Sequence, residues 1–456
     1  MAVNIANRLQ RDGWPDFTCF RPYPPAATLR RWLDAAYART RSLFAVLDGA
    51  RIRVPRLPIV NPPVWELGHV AWFHEFWICR RGSFEAPALL KGADALYDSS
   101  RVPHDSRWHL ELPDLEATWR YAERVREAAA AAIASDAARS DELAYFAALG
   151  VFHHDMHNEA FHYMWQTLGY PAPAPAPQPA GAAADPRPEP EEGDVELPAA
   201  VFPLGAAPGS GFVFDNEKWA HPVQVPGFAI ARRAVSNAQF LAFVEEGGYR
   251  RAEFWSPEGA QMLARESLVA PRYWRREGGA WLARRFDRLI PLDPYEPVMH
   301  VSLHEAQAWC RWAGRRLPTE AEWERAAATA PNDDAKRRYP WGDDERRGAA
   351  GLDVPGAAPG TPAAEGDGPG GVSGWGVEQM LGSVWEWTAS RFLPYPGFAA
   401  DPYREYSAPW FVEHHQVLRG GSFATPRRLT RNTWRNFYRP ERADVFCGFR
   451  TCALDR

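Results

Sequence analysis

Apolar side chains recur at helical spacing in four stretches of the first 170 residues. Positions i, i+3, i+4 and i+7 are apolar in each stretch, which is typical of amphipathic helices that bury one face. Four such helices in a segment of this length predict a four-helix bundle. The four stretches read TLRRWLDAAYARTRSLFAVL, WELGHVAWFHEFWICRR, LEATWRYAERVREAAAAAIA and DELAYFAALGVFHHDMHNEAFHYMWQTLG.

The pattern changes after a stretch rich in proline and alanine, PAPAPAPQPAGAAADPRPEP. Proline lacks an amide donor and fixes φ, so we expect an extended spacer here rather than a helix or a central strand. Beyond it, short β-rich segments alternate with many Gly, Pro and Trp residues and with helices that begin at Ser236 and Ser302. The chain is therefore predicted to be a two-domain α+β protein. The parts are a helical domain over 1–170, a linker over 171–195 and an α+β domain over 196–456.

Composition narrows the class of protein. The chain has 456 residues, of which 46% are hydrophobic and 24% charged, which predicts globular domains with sizeable cores. The formal net charge of -5 argues against nucleic-acid binding. Five cysteines indicate no disulfide framework, and we find neither a signal peptide nor an apolar run that could span a membrane. We therefore expect a cytoplasmic protein; the sequence specifies no oligomeric state.

Three histidines are candidates for one metal site. His153 and His157 are four residues apart, so a helix places both imidazoles on one face. His69, in another predicted bundle helix, is the natural third ligand, and three imidazoles leave positions open for substrate and oxygen. His154 is a rival ligand, and Glu159 is a candidate partner that orients an imidazole. Buried structural histidines are the alternative. By ligand type alone, iron, zinc and copper all remain open.

Two sets of motifs resemble a known family. Residues 62–73 read PPVWELGHVAWF, and residues 153–159 read HHDMHNE. Both resemble the DinB-like iron-binding domain of the ergothioneine- and ovothiol-type sulfoxide synthases. The second half resembles the formylglycine-generating-enzyme-like domain of the same family, which is related to C-type lectins. Its motifs are GRRLPTEAEWERAA, YPWG, GSVWEWTAS, LRGGSF and GFR.

The resemblance implies a mononuclear non-haem Fe(II) enzyme that uses O2 as a co-substrate. Such an enzyme joins a chalcogen to the imidazole carbon of hercynine, which is Nα-trimethylhistidine. The family's metal ligands fall on His69, His153 and His157. Its substrate-contact motif falls on Arg435, Asn436, Phe437 and Tyr438.

Departures from the ergothioneine branch bear on the chalcogen donor. Met156 stands where that branch has glutamine, and Phe437-Tyr438 stand where it has Trp-Asp. Its loop that clamps the carboxylates of γ-glutamylcysteine is rich in arginine. Here the region reads YDSSRVPHDSRWHL, and Arg101 and Arg107 alternate with acidic residues. A neutral sugar fits such a mixed loop better than a dianion does. The resemblance therefore favours the selenoneine synthase branch, in which a selenosugar supplies selenium.

Other functions stay open at this point. A thiol such as γ-glutamylcysteine is the alternative donor. In either case, the family's proton-donor tyrosine falls on Tyr403 or Tyr406. A formylglycine-generating enzyme with a thiolate pair at Cys447 and Cys452 is a third reading. The alternative that is not an enzyme is a lectin-like module that binds its ligand without catalysis.

Overall fold

The structure is a computed structural model that combines a helical bundle with an α+β domain, which confirms the predicted fold class. Residues 174–192 of the predicted linker lie outside the described residues, and the first strand of the second domain begins at Asp194. No helix in the described part of the chain is long and apolar enough to cross a membrane. The structure describes residues 14–135, 140–173, 193–333, 335–344, 371–412 and 414–454.

The N-terminal part contains the four predicted helices and a short fifth one. Their apolar faces form one continuous core with the α+β domain. Every residue of the second helix except Val64 is buried, and a five-residue π-helical turn, Glu75–Cys79, extends it. A helix that is buried on all sides lies at the centre of a bundle. The helices are α1 (Ala26–Phe44), α2 (Pro63–His74), α3 (Ala93–Tyr97), α4 (Leu115–Ala134) and α5 (Asp141–Leu168).

Local signals in the sequence set the ends of these helices. The Ser140 hydroxyl accepts a hydrogen bond from the backbone amide of Leu143 at the start of α5. Gly169 ends α5 with a left-handed backbone conformation, φ 66°. Pro63 occupies the first turn of α2, where no amide donor is needed. The 28 residues of α5 make it the longest helix described, so it spans the bundle and reaches the second domain.

The described residues of the second domain form short strands and four α-helices. The helices are α6 (Asn237–Glu245), α7 (Pro257–Glu266), α8 (Leu303–Ala313) and α9 (Glu320–Ala328). The strands are β1 (Asp194–Leu197), β2 (Ala200–Leu204), β3 (His221–Val225), β4 (Phe228–Ala231), β5 (Trp274–Glu277), β6 (Ala280–Arg285), β7 (Arg288–Pro291), β8 (Arg315–Arg316), β9 (Trp385–Arg391), β10 (Gln416–Arg419), β11 (Asn436–Tyr438), β12 (Cys447–Gly448) and β13 (Cys452–Ala453).

The strands form four small sheets, ordered β1-β4-β13-β8, β11-β10-β9-β12, β2-β3 and β5-β6-β7. In the second of these, Leu418 of β10 lies opposite Asn436 on one side and Trp387 on the other. Gly448 of β12 allows a close approach, because a Cβ atom there would lie 2.3 Å from the carbonyl oxygen of Val298. This sheet therefore presents β11, with its motif residues, at an edge.

The bundle is joined to the second domain by buried polar contacts along α5. The carboxylate of Glu159 accepts hydrogen bonds from the hydroxyls of Ser422 (2.6 Å) and Thr425 (2.7 Å) and from Trp385 Nε1 (2.8 Å). One turn earlier, Asp155 pairs with Arg428 at 2.6 Å. These contacts fix one face of α5 against the α+β domain.

A second group of buried polar side chains, which we call the anchor cluster, lies where the segment 401–407 meets the bundle. Tyr145 of α5 donates to Asp401 at 2.6 Å, and Lys218 pairs with the same carboxylate at 2.5 Å. Ser407 donates to Asp215 at 2.5 Å. Burial, followed by the nearby charge of Asp401, raises the pKa of Asp215 to about 7.

The raised pKa of Asp215 predicts a pH-dependent stability. The unfolded chain ionises this carboxyl near its ordinary pKa of 3.8, whereas the folded protein does so near 7. Stability is therefore lost as pH rises from about 4 to about 7, by on the order of a few kcal/mol. Asp215→Asn keeps an acceptor for Ser407 and removes this loss. We expect its unfolding midpoint to exceed the wild-type value at pH 8 and to match it at pH 4.

Thermal or urea unfolding across this pH range measures the effect. Asp287→Asn is the control, because Asp287 is exposed. Equal midpoints for Asp215→Asn and the wild type at pH 8 would contradict the assignment.

Candidate metal centre

Three imidazoles from two bundle helices converge on one point. One ring nitrogen each from His69 of α2 and from His153 and His157 of α5 lie within 4.8 Å of one another. The Nε2 atoms of His153 and His157 are 3.1 Å apart. Metal–imidazole bonds of roughly 2.1 Å at right angles would separate two ligand atoms by about 3.0 Å. The spacing is therefore that of neighbouring ligands of one ion.

Hydrogen bonds at the opposite ring nitrogens orient two of these imidazoles. His69 donates from Nδ1 to the carbonyl oxygen of Tyr97 at 2.8 Å, and His157 donates from Nδ1 to Glu66 at 2.5 Å. Both rings thus keep Nε2 free for a metal, as ligands commonly do. The expectation that Glu159 orients an imidazole is wrong, because its carboxylate is bonded to the second domain.

The sequence did not single out Glu66, although it lies three residues before His69 on α2. A helix places residues three apart on one face, so this spacing was the available signal. The rival ligand His154 turns away into the bundle. It contacts the Thr40 hydroxyl at 2.7 Å and His74 Nε2 at 3.1 Å.

Aromatic rings hold the planes of two of the three imidazoles. Trp65 stacks on His69 with 5.0 Å between ring centroids, and Phe73 stacks on His153 at 3.5 Å. Gly68 makes room for Tyr97, because a Cβ atom there would lie 2.2 Å from the Tyr97 ring. The glycine before His69 therefore allows the approach that places the Tyr97 carbonyl oxygen against His69.

Burial also keeps two of the imidazoles neutral. Desolvation, with the neighbouring His157, lowers the pKa of His69 to about 3, and the same causes lower that of His153 well below 6.5. Neutral imidazoles are the form that binds metal, so no proton has to be displaced at these two positions at neutral pH. In this respect too, the residues present fit a metal ion.

Most of the predicted substrate residues meet the histidines in a cavity of about 370 Å³ between the two domains. Acidic side chains line it, and no lysine or arginine does among the described residues. The cavity thus has a negative electrostatic character. The predicted residues that line it are His153, Met156, His157, Tyr403, Tyr406, Asn436, Phe437 and Tyr438.

The two candidate tyrosines hold different positions in this cavity. The ring of Tyr403 lies 5.8 Å from that of His153, between centroids. The hydroxyl of Tyr406 instead lies 3.8 Å from the sulfur of Met156 and accepts from Trp434 Nε1 at 3.3 Å. Burial raises the pKa of both phenols above 10, so both keep their protons at neutral pH. Tyr403 is the phenol nearer to the imidazoles.

The three predicted arginines do not line the interdomain cavity. Arg435 is buried in the α+β core, where its guanidinium binds Glu320 at 2.6 Å. Arg107 lies over the Trp65 ring and donates to Asn61 at 2.7 Å. Arg101 lines a second, larger cavity of about 700 Å³.

Comparisons with known proteins agree with this architecture. A model of the DinB superfamily matches residues 32–164, and one of the sulfatase-modifying factor enzyme 1-like domain matches residues 180–454. The hercynine oxygenase of Mycolicibacterium thermoresistibile is 38% identical over 94% of this chain and 95% of that protein. The hercynine oxygenase of Mycobacterium tuberculosis is also 38% identical, over 91% and 96% respectively. The chain belongs to the family of these hercynine oxygenases.

Two further proteins are similar to parts of this chain. The formylglycine-generating enzyme of Streptomyces coelicolor is 35% identical over 58% of this chain and 89% of that protein. The solved structure of PvdO from Pseudomonas aeruginosa is 23% identical, with a TM-score of 0.37 over 57% of this chain and 93% of PvdO.

The structure does not support a thiolate pair at Cys447 and Cys452. The two residues belong to β12 and β13, which lie in different sheets. The thiol of Cys447 donates to the carbonyl oxygen of Val301 at 3.1 Å. Burial raises the pKa of both thiols, so both stay protonated and unreactive at neutral pH.

The contact between Glu66 and His157 predicts that metal affinity depends on Glu66. Glu66→Gln removes the negative charge that holds His157 in its ligand orientation. We expect metal affinity to fall by about 10- to 100-fold. Titration of the metal-free protein with Fe(II) or Zn(II) against a competing chelator measures this.

The matched control is Glu305→Gln. Glu305 is also a buried carboxylate and accepts from Tyr249 at 2.5 Å, on α8 of the other domain. We expect this variant to bind metal like the wild type. Equal affinities for all three proteins would overturn the role of Glu66.

Proposed function

We propose that this protein is a non-haem Fe(II) enzyme that uses O2 to form a carbon–chalcogen bond at the imidazole of hercynine. One observation carries the proposal. Three imidazoles converge, and two of them, His153 and His157, line a cavity of carboxylates and aromatic rings, in a chain that is 38% identical to hercynine oxygenases. Formation of this bond is an oxidation, and side chains alone do not accept the electrons. A bound iron supplies that redox chemistry.

The interdomain cavity suits each part of hercynine. A trimethylammonium group donates no hydrogen bond, so aromatic faces and nearby negative charge bind it best. Phe437, Tyr438 and Trp434 provide the faces, and the carboxylates of Glu66 and Glu405 line the same cavity. The amide of Asn436, on the same strand, is a donor for the hercynine carboxylate. The substrate imidazole would then face His153 and His157.

The remaining groups of the site bind the metal, orient an imidazole or donate a proton. His69, His153 and His157 would hold the metal, and Glu66 fixes the direction of His157. The ring of Tyr403 lies beside the His153 ring, its hydroxyl contacts Ser99, and burial keeps the phenol protonated. We infer that this phenol gives its proton to a reduced oxygen atom.

A neutral selenosugar is the donor that the charges favour. Both arginines predicted to bind the donor already have partners. Arg101 pairs with Asp98 at 3.2 Å, and Arg107 is bonded to Asn61. The larger cavity shares Tyr403 and Glu405 with the histidine cavity and combines aromatic faces and serine hydroxyls with charged groups of both signs. Its three arginines each pair with a carboxylate; they are Arg80, Arg81 and Arg101. A dianionic donor would need free positive charge in these cavities, whereas a sugar needs aromatic faces and mixed polar groups.

A thiol donor is the second candidate. Three arginines line the larger cavity, and guanidinium groups bind the carboxylates of a donor such as γ-glutamylcysteine; they are Arg80, Arg81 and Arg101. The donor therefore has to be decided by experiment.

A competition assay tests the donor directly. Iron-loaded protein is given hercynine, O2 and equal amounts of a selenosugar and γ-glutamylcysteine, and the products are identified by mass spectrometry. We expect the hercynine adduct to contain selenium, because each arginine that lines the two cavities among the described residues already pairs with a carboxylate. An adduct that contains only sulfur would show that the donor is the thiol and not the selenosugar. Absence of any adduct, with iron bound, would overturn the proposed function.

The position of Asn436 predicts a selective effect on hercynine binding. Asn436→Ala removes the amide donor from the cavity but leaves the three histidines in place. We expect KM for hercynine to rise about tenfold, as loss of a hydrogen bond to a charged group predicts, with unchanged iron content. Asn237→Ala, at the start of α6, is the control and should leave KM unchanged. An unchanged KM in Asn436→Ala would remove this residue from the hercynine site.

A further inference from the structure

The segment 401–407 carries both cavity tyrosines and is secured at its two ends. Asp401 and Ser407 are buried at these ends, whereas the 3-10 turn Arg404–Tyr406 between them contains no buried residue. Tyr403 and Tyr406 therefore lie on a short connection. Buried hydrogen bonds of Asp401 and Ser407 hold the two ends of that connection.

The first end is tied to the helix that carries two metal-ligand candidates. Asp401 accepts from Tyr145, which is eight residues before His153 on α5. Eight residues of helix span about 12 Å, and a packed helix transmits position over that length with little bending. Lys218 pairs with the same carboxylate and lies 3.9 Å from the centre of the Phe20 ring, so the charge of Asp401 is balanced in a buried site.

The second end is tied to the segment 214–218 of the α+β domain. Ser407 donates to Asp215, and Phe214 stacks on the ring of Tyr406 with 4.2 Å between centroids. Lys218 belongs to the same segment and reaches Asp401 at the other end. The two ends of the tyrosine segment are thus held by one common piece of chain and, at Asp401, by α5.

We propose that the anchor cluster (Tyr145, Asp215, Lys218, Asp401 and Ser407) consists of positioning residues. The cluster sets the distance between the Tyr403 phenol and the imidazoles of α5. This inference rests on the proposed function, in which Tyr403 supplies a proton beside the metal. The physical reason is that α5 carries both His153 and Tyr145. One rigid helix therefore sets the position of the His153 imidazole and, through Tyr145 and Asp401, that of the Tyr403 phenol.

A purely structural role is the alternative, and a matched pair of variants separates the two. Tyr145→Phe removes the hydroxyl that reaches Asp401 at 2.6 Å. Tyr249→Phe removes an equally buried hydroxyl that reaches Glu305 at 2.5 Å, against α8. The two changes delete the same group from the same kind of buried contact. Only one of them touches the tyrosine segment.

The experiment compares both variants, loaded with iron, by unfolding midpoint, hydrogen exchange of residues 401–407, kcat and KM for hercynine. We expect similar losses of stability. Only Tyr145→Phe should increase exchange in 401–407 and lower kcat, by about tenfold or more, as a small misplacement of a reacting group predicts. Its KM for hercynine should stay within about twofold of the wild-type value, because the hydroxyl that it removes lies outside the hercynine cavity.

Each other outcome has a definite meaning. Equal losses of kcat in Tyr145→Phe and Tyr249→Phe would show general destabilisation and overturn the proposal. Tyr403→Phe serves as the reference. If it loses turnover while Tyr145→Phe keeps it, the positioning role fails and the proposed function stands. If Tyr403→Phe keeps full turnover, the proton-donor assignment fails, and the positioning proposal fails with it.

Discussion

The site depends on the crossing of two helices, α2 and α5, in the centre of the bundle. His69 lies on one and His153 and His157 on the other, and their ring nitrogens meet only because both helices are packed on nearly all sides. Close packing leaves a buried helix little freedom to rotate or slide. Burial also keeps the imidazoles of His69 and His153 neutral. Packing thus sets both the geometry and the protonation of the candidate metal centre.

Helix α5 also makes the contacts that fix the bundle against the second domain. Two residues after His157, Glu159 binds Ser422, Thr425 and Trp385, all of which lie in or next to the LRGGSF and GSVWEWTAS motifs. A buried carboxylate is costly unless donors surround it, so this network favours one docking of the two domains. Burial nevertheless raises the pKa of the Glu159 carboxyl above its ordinary value, because it outweighs the three donors, which lower it. The motifs that build the α+β fold therefore also hold the wall of the cavity in place.

Charge distinguishes the substrates that this cavity can accept. Its lining contains carboxylates and aromatic rings, whereas Arg101, Arg107 and Arg435 are all bound to other groups of the protein. A cationic ammonium group is stabilised in such surroundings, and a dianion is not. The same distribution agrees with hercynine, a cation at its trimethylammonium group, as the ligand of this cavity. The protonated phenol of Tyr403 fits this picture, because a neutral hydroxyl adds no further charge.

The helices of the bundle and the pair His153 and His157 were predictable from the sequence, because helical periodicity and i, i+4 spacing are local properties. His69 could be proposed only from its place in another predicted helix and from the family resemblance. The position of Asn436, Phe437 and Tyr438 at the cavity could be proposed from the resemblance of their motif to a family. Arg435 was placed in the same motif, but it turns into the core, because Glu320 on α9 attracts it there. The roles of Glu66, Tyr97 and Tyr145 were decided only by tertiary structure. Each depends on which partner lies opposite, such as the contact of Tyr145 with Asp401 across 256 residues, and local pattern does not encode such contacts.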